Sequence, residues 1–386
     1  MDIEHSDVAI VNTCSFIEDA RRESVDVILD LIDLKEQGKI KKIIVAGCLA
    51  QRYGKDLVKE LKGVDAFVGT LALDRDKFHP QVTLTAKHYA YVKICESCYN
   101  KCSFCAIPRI KGQFISRTIE SVVEEIKQLD SRGVREINII GQDITAYGMD
   151  IYKKKSLAEL LKALILVTKN IQWIRLLYAF PAHVTDDLID LIANEEKICK
   201  YIDMPLQHIS DKMLRTMNRG MFQKGTLELV GKIKNKISHG SLRTTFIVGF
   251  PGETEEDFQE LLNFVHKTRF ERMGVFIYSK EEGTAADALP WRVPEKIKKQ
   301  RRDILMNVQQ EISKEAHRKF LGKTLKVLID EKQKGEDGVY LGRSEFDAPE
   351  VDGLVYVYSS QRLRLGDFVD VRITDSLEYD LAGDVA

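Results

Sequence analysis

Seven cysteines occur in the 386-residue chain, and three of them crowd into the octapeptide Cys98-Tyr99-Asn100-Lys101-Cys102-Ser103-Phe104-Cys105. The spacing is C-x3-C-x2-C. Thiolates are soft ligands that suit zinc and iron–sulfur clusters. Structural zinc sites use four ligands, usually on paired C-x2-C arms. Three thiolates on one short loop instead leave a metal position open, although a zinc site, or a chance crowding of cysteines, stands beside this reading. In a 4Fe–4S cluster the open iron can chelate the amino and carboxylate groups of S-adenosylmethionine (SAM). An electron from the cluster then cleaves the sulfonium and releases a 5′-deoxyadenosyl radical, which the protein must hold and aim. Cys98, Cys102 and Cys105 are the candidate catalytic and metal-binding residues.

Other residues could serve such a site. Gly141-Gln142-Asp143 and Val248-Gly249-Phe250-Pro251-Gly252-Glu253 stand where strands are expected to end. Gln142 and Asp143 could take the SAM amino group. Gly249, with Glu253 close behind it, would let backbone approach adenine or ribose. Phe104 could pack against the adenine. Gln207 and His208 close the run Met204-Pro205-Leu206-Gln207-His208 and could face the same mouth, but a single histidine is more often structural than catalytic. For each segment the alternative is ordinary strand-end turn chemistry. Cys95 reads as an incidental strand-end residue, with a redox role as its alternative. Cys199 reads as a buried small hydrophobe.

The elements that must position these residues follow from hydrophobic periodicity. Val8-Ala9-Ile10-Val11 is a short apolar strand leading to Cys14. A helix follows with Val25, Ile28, Leu29 and Ile32 on its apolar face, and Lys42 to Cys48 is a second strand. This is a βαβ pattern with a cysteine at the end of each strand, at the carboxyl edge of a parallel sheet where α/β ligand sites lie. From about residue 87 the chain alternates regularly. Strands are expected at Tyr91–Cys95, Glu136–Ile140, Trp173–Ala179, Tyr201–Leu206, Leu242–Phe250 and Met273–Tyr278, with helices between them. Six βα-type units without hairpins imply a parallel partial barrel, short of the eight units that close a full one. Pro294 opens a long polar helix to about Arg318. After Phe320, short β-rich runs separated by Gly and Asp turns fit a small antiparallel barrel of the OB type. The fold class is thus α/β, with domains at 1–84, 85–316 and 317–386.

Composition narrows the function classes. Hydrophobic content is 44%, charged content 30% and formal net charge −1, so no global basic field points to nucleic acid. The longest apolar runs, such as Ala163-Leu164-Ile165-Leu166-Val167, fall far short of a membrane span, and the acidic start lacks the apolar core of a signal peptide. A cytoplasmic location is expected, with no membrane partner. In that compartment seven cysteines read as metal or redox chemistry before disulfides.

The triad followed by Ala106-Ile107-Pro108, Lys111-Gly112 and Ser116-Arg117 resembles the methylthiotransferases, a branch of radical-SAM enzymes. Asn12-Thr13-Cys14-Ser15-Phe16 and Ala46-Gly47-Cys48-Leu49-Ala50-Gln51 resemble that family's amino-terminal domain. Gly249-Phe250-Pro251-Gly252-Glu253-Thr254 looks like its fifth barrel strand, and the last region looks like its TRAM module. Three stretches resemble the RimO type, which modifies an aspartate of small-subunit ribosomal protein number twelve. They are Phe16 to Ser24, Gln142-Asp143 with Tyr147-Gly148, and Gly342-Arg343-Ser344 with Asp347 to Gly353. The other branch modifies a tRNA adenosine derivative. Residues 321–386 carry eight Lys and Arg against fourteen Asp and Glu, a net of −6. A tRNA-binding module should be basic, so this balance suits a basic ribosomal protein and makes nucleic acid the less favoured substrate.

The resemblance implies two 4Fe–4S clusters and two SAM molecules. Cys98, Cys102 and Cys105 would hold the cluster that cleaves SAM. Cys14 and Cys48 match two of three ligands of an auxiliary cluster; the third is expected upstream of Cys14 in a first βα unit that this chain lacks. The chain is therefore expected to be truncated, with a shortened linker at 69–88, and a crippled cluster-binding form is a further alternative. One SAM would supply a methyl group to a sulfur at the auxiliary cluster. The radical from the other would remove a hydrogen atom from the aspartate β-carbon, which then takes up the methylthio group. A flavodoxin or ferredoxin is the implied electron donor.

Overall fold

The computed structural model describes residues 6–70, 73–77 and 85–386. The domain boundary expected at residue 84 and part of the linker expected at 69–88 lie outside the described residues. The chain divides into two compact units. The first combines Met1–Leu73, Glu96–Ile115 and Ser279–Pro290; the second combines Asp74–Cys95, Ser116–Tyr278 and Trp291–Ala386.

In the first unit, β1 (Val8–Thr13), β2 (Lys42–Gly47) and β3 (Ala66–Val68) form a parallel sheet in that order, with α1 (Glu18–Glu36) and α2 (Cys48–Glu60) as its helices. The expected βαβ unit is present. Its core is Ile28, Leu31, Ile40, Ile43, Val45 and Leu49. The expected helix face needs correction, because Leu29 is 45% exposed while Ser24, Ile28 and Leu31 are buried. Positions 24, 28 and 31 are one i, i+4, i+7 stripe, and residue 29 lies about 100° away from it. Cys48 is also not a strand residue; it opens α2.

The segments 96–115 and 279–290 belong to the same unit. Two-residue strands β5 (Cys95–Glu96) and β6 (Ile115–Ser116) frame the first segment, which contains α3 (Ile107–Lys111).

In the second unit, β4 (Tyr89–Lys93), β7 (Glu136–Ile140), β8 (Trp173–Leu176), β9 (Ile198–Asp203), β10 (Ser241–Val248) and β11 (Arg272–Ile277) form one sheet in sequence order. Every pairing in it is parallel. The helices α4 (Ile119–Ser131), α5 (Leu157–Val167), α6 (Asp186–Asn194), α7 (Asp211–Thr216), α8 (Gln223–Lys236) and α9 (Glu255–Thr268) supply the crossovers. The outer strands β4 and β11 do not pair with each other, so the sheet stays open as expected. Local chemistry sets the helix starts. Thr118 and Thr185 cap α4 and α6, and Thr254 with Asp257 forms a capping box on α9.

The 24-residue α10 (Glu295–Arg318) leads to β12 (Thr324–Lys332), β13 (Val339–Ser344), β14 (Val355–Tyr358), β15 (Phe368–Ser376) and β16 (Leu381–Val385), a closed five-stranded barrel. The antiparallel expectation holds for its pairings except β14 with β16, which run parallel. Val327, Ile329, Val355, Val357, Val371 and Ile373 fill it.

The loop from Ser344 to Asp352 packs against residues of the large sheet's strands. Arg175 and Glu136 form a fully buried pair at 2.9 Å, and Arg175 Nη1 donates to the Glu345 carbonyl at 2.6 Å. Arg343 bridges Glu136 at 2.7 Å and Asp330 at 2.6 Å. Arg272 pairs with Asp347, and Tyr201 donates to Asp352 at 2.7 Å. Trp173, Cys199 and Tyr201 share an apolar cluster with Leu328 and Ala348.

Candidate active site

The loop carrying Cys98, Cys102 and Cys105 is tied at its ends. Ser97 adopts the left-handed conformation at φ 68°, and its hydroxyl donates to the Gly112 carbonyl at 2.7 Å. Lys111 pairs with Glu96 at 2.9 Å, with both side chains largely buried. These two contacts close residues 96–112 into a staple. Within it, the Cys105 amide donates to the Cys102 carbonyl at 3.1 Å, and the side-chain Nδ2 of Asn100 lies 3.6 Å from the Cys98 sulfur. Pro108 in the first turn of α3 suits a helix start and ends the loop. The three thiols are half-buried, and Phe104, also half-buried, sits in the turn between Cys102 and Cys105. None of the seven cysteines, all among the described residues, is disulfide-bonded. No group of three or more His, Cys, Asp or Glu among the described residues is gathered around a point that would hold one metal ion.

Cys14 and Cys48 both lie at the carboxyl edge of the small sheet. Thr13 and Gly47 are register partners on β1 and β2, so the two cysteines follow neighbouring strand ends. Gly47 sits at φ 98°, and a Cβ there would strike the Asn12 side chain and the Thr13 carbonyl. Only glycine allows the strands to close up at this point. The Phe16 amide points at the Cys14 sulfur at 3.5 Å, and the Cys14 amide donates to Ser24 Oγ at 3.2 Å. Cys48 stands at the amino end of α2, where the helix dipole favours negative charge.

In the second unit the carboxyl ends of the strands gather the other candidates. Gln142 and Gln207 each bury a side-chain carbonyl oxygen that has no hydrogen-bond partner. Gln207 is held at φ 74° because its amide donates to the Thr245 carbonyl while its own carbonyl accepts from Ile247, both at 2.8 Å. Such backbone strain costs about 1–3 kcal/mol and persists where surrounding structure imposes it. Tyr178, at the end of β8, is likewise left-handed at φ 68°.

Asp143 is fully buried. One of its oxygens accepts from the Thr145 amide, the Thr145 hydroxyl and the Ala146 amide at 2.6–3.2 Å. The other faces His183 Nδ1 at 2.7 Å. His183 could not be found from the sequence, because a histidine seven residues beyond a strand carries no spacing signal. Glu253 is also buried. One carboxylate oxygen accepts from the Gly249 and Phe250 amides, and the other faces Arg301 at 3.4 Å and His208 at 3.9 Å. His208 Nδ1 accepts from the Ser210 amide. Gly249 sits at φ 72°, and a Cβ there would strike the Lys298 side chain.

Cys95 is fully buried under Gly141, where a Cβ would collide with its sulfur. It fixes how closely the second strand end lies over the first. Cys199 is buried as expected, and burial pushes its thiol up to about 12, so it stays protonated and inert.

Residues 92–265 match the Radical SAM superfamily, residues 321–386 the TRAM domain, and residues 1–69 the Uncharacterized protein family UPF0004. A ribosomal protein uS12 methylthiotransferase RimO from Clostridioides difficile (strain 630) is 44% identical over 408 residues, covering 100% of this chain and 91% of that protein. One from Aquifex aeolicus (strain VF5) is 47% identical over 98% of this chain and 89% of that protein. The radical S-adenosylmethionine methyltransferase TsrM from Kitasatospora setae shares the fold, with a TM-score of 0.51 at 14% identity over 73% of this chain and 64% of that one. Near-full-length identity well above chance, joined to the three-cysteine loop, places this chain in the RimO family of radical-SAM methylthiotransferases.

Proposed function

We propose that this chain transfers a methylthio group to the β-carbon of an aspartate in ribosomal protein uS12. The observation that carries the reading is the stapled loop with Cys98, Cys102 and Cys105, in a chain related over its whole length to uS12 methylthiotransferases. Three thiolates on one loop fit a 4Fe–4S cluster with one iron left open. When bound there, that cluster supplies the electron that cleaves SAM to a carbon radical.

The chain's own groups bind and orient. Gln142 and Gln207 offer unpaired carbonyl oxygens, the acceptors that an amino group or ribose hydroxyls require. Asp143 sets the His183 ring, and Glu253 shapes the Gly249–Phe250 turn so that its backbone is preset. Phe104 gives an apolar face for adenine. Cys14 and Cys48 supply two ligands of an auxiliary cluster whose third ligand is not gathered with them among the described residues. We retain domains at 1–84, 85–316 and 317–386, and a flavodoxin or ferredoxin as electron donor. No helix among the described residues is long and apolar enough to cross a membrane.

The acidic balance that favours a basic protein substrate over nucleic acid is smaller than the sequence count. Asp330 pairs with buried Arg343, and Asp347 and Asp352 pair with half-buried Arg272 and Arg243. Removing those three acids and Arg343 from the count leaves eleven acidic against seven basic groups, a net of −4 for residues 321–386. The module stays acidic and still suits a basic protein partner. The test is anaerobic incubation of the reconstituted protein with SAM, reductant, uS12 and bulk tRNA in one vessel. Mass spectrometry should find the methylthio group on a uS12 aspartate; finding it on a tRNA adenosine instead would sink the reading.

A further inference from the structure

The segment Ser279–Pro290 follows the last large-sheet strand in the chain, yet it packs in the first unit with both cysteine-bearing regions. Glu281 is 2% exposed and pairs with two arginines of the small sheet's helices, Arg21 on α1 and Arg52 on α2, the latter at 3.3 Å. Arg52 also donates to the Ser15 carbonyl and to the Glu282 carbonyl, each at 2.9 Å. Ser15 adjoins Cys14, and α2 begins at Cys48. Five residues beyond Glu281, the Ala286 amide donates to the Ser103 carbonyl at 2.8 Å, between Cys102 and Cys105. Arg109 of α3 donates to the Gly283 carbonyl. The segment is stiffened internally, since Thr284 Oγ1 donates to the Glu281 carbonyl at 2.7 Å and Ser279 Oγ donates to Glu281 Oε1 at 3.0 Å.

We infer that Glu281 is a positioning residue that fixes the Cys14–Cys48 pair relative to the Cys98–Cys102–Cys105 loop. This rests on the proposed function, in which the two cysteine sets act on one substrate carbon in succession. The carbon radical left when the 5′-deoxyadenosyl radical takes a hydrogen atom must lie within reach of the methylthio group that would be held beside Cys14 and Cys48. Misplacing reacting groups by about 1 Å can lower a rate about a hundredfold. A buried carboxylate between two arginines sets such a separation more rigidly than surface contacts do. Removing its charge leaves Arg21 and Arg52 without their common anchor, while the staple that closes residues 96–112 stays intact.

The test compares Glu281→Gln and Glu281→Asp with wild type. In the reconstituted enzyme, Glu281→Gln should cleave SAM to 5′-deoxyadenosine within about twofold of wild type. Methylthio product per deoxyadenosine should fall at least about tenfold. Glu281→Asp keeps the charge and should recover most of that ratio. Hydrogen exchange on the metal-free proteins should accelerate in peptides covering 97–106 and 279–290 of Glu281→Gln. An unchanged product ratio, or an equal fall of both products, overturns the inference. A wild-type protein that makes deoxyadenosine but no methylthio product on uS12 overturns the proposed function instead. The role of Glu281 is then judged by exchange alone, and unchanged exchange at 97–106 overturns it.

Discussion

Replacing Asp347 with alanine should destabilise the second unit by about 3–5 kcal/mol, the range for stranding one member of a buried ion pair. The Asp347 carboxylate is buried, accepts from the Ser344 amide at 3.2 Å and its hydroxyl at 2.5 Å, and pairs with Arg272. The Arg272 side chain is itself only 11% exposed. Its other neighbours are His317 Nε2, which accepts from it at 2.7 Å, and Asp352 at 3.9 Å. The neutral imidazole cannot replace a carboxylate, and Asp352 is already shared with Tyr201 and Arg243. An exposed pair such as Lys232–Asp186 should lose only about 0–1 kcal/mol on the same treatment. The assay is urea unfolding followed by fluorescence. Trp173 is buried with its ring 4.7 Å from Phe368, so it reports directly on this packing. Combining Asp347→Leu with Arg272→Met should recover much of the loss, because an apolar pair removes the stranded charge. A loss under about 1 kcal/mol for Asp347→Ala would show that the 344–352 loop is a solvated surface element, and the buried-network reasoning would fall.

Further outcomes follow from the same geometry. Gln207→Gly should relieve left-handed strain and stabilise the fold by about 1 kcal/mol, yet weaken SAM binding measured by equilibrium dialysis; unchanged SAM binding would remove Gln207 from the site. Stability should fall with acidity in two windows. Burial and the neighbouring Arg272 lower His317 from 6.5, so its contribution is full above about pH 6.5 and is lost as pH falls through the folded value. Burial alone would raise Asp257, but hydrogen bonds from Lys212, Ser210 and Thr254 outweigh it and hold it at about 2, so its contribution is lost between about pH 4 and 2. A denaturation midpoint that stays flat from pH 7 to pH 3 would contradict both assignments.

The parallel elements were legible because each repeats a strong local pattern. Glu136–Ile140 coincides with its expected bounds. The short β3 carried too few residues to show a period. In the small barrel, Val339–Ser344 is interrupted by a glycine and Leu381–Val385 carries an aspartate, so neither shows a clean two-residue period. The cysteines could be picked out by spacing alone, since ligands on one loop are neighbours in sequence. Glu281 and His183 could not, because their partners lie far along the chain: 229 residues for Arg52 and 40 for Asp143. The same holds for the acidic residues of the last domain. Composition counts Asp347 and Asp352 as surface charge, and only the fold reveals that they neutralise arginines of the large sheet.

The most direct test of the central claim follows one atom. uS12 whose aspartates carry deuterium on the β-carbon is incubated anaerobically with the reconstituted protein, SAM and reductant, and the released 5′-deoxyadenosine is analysed by mass spectrometry. Deuterium should appear in it, in step with methylthio product on uS12, and should vanish in Cys102→Ala. Deoxyadenosine free of deuterium beside modified uS12 would contradict the account.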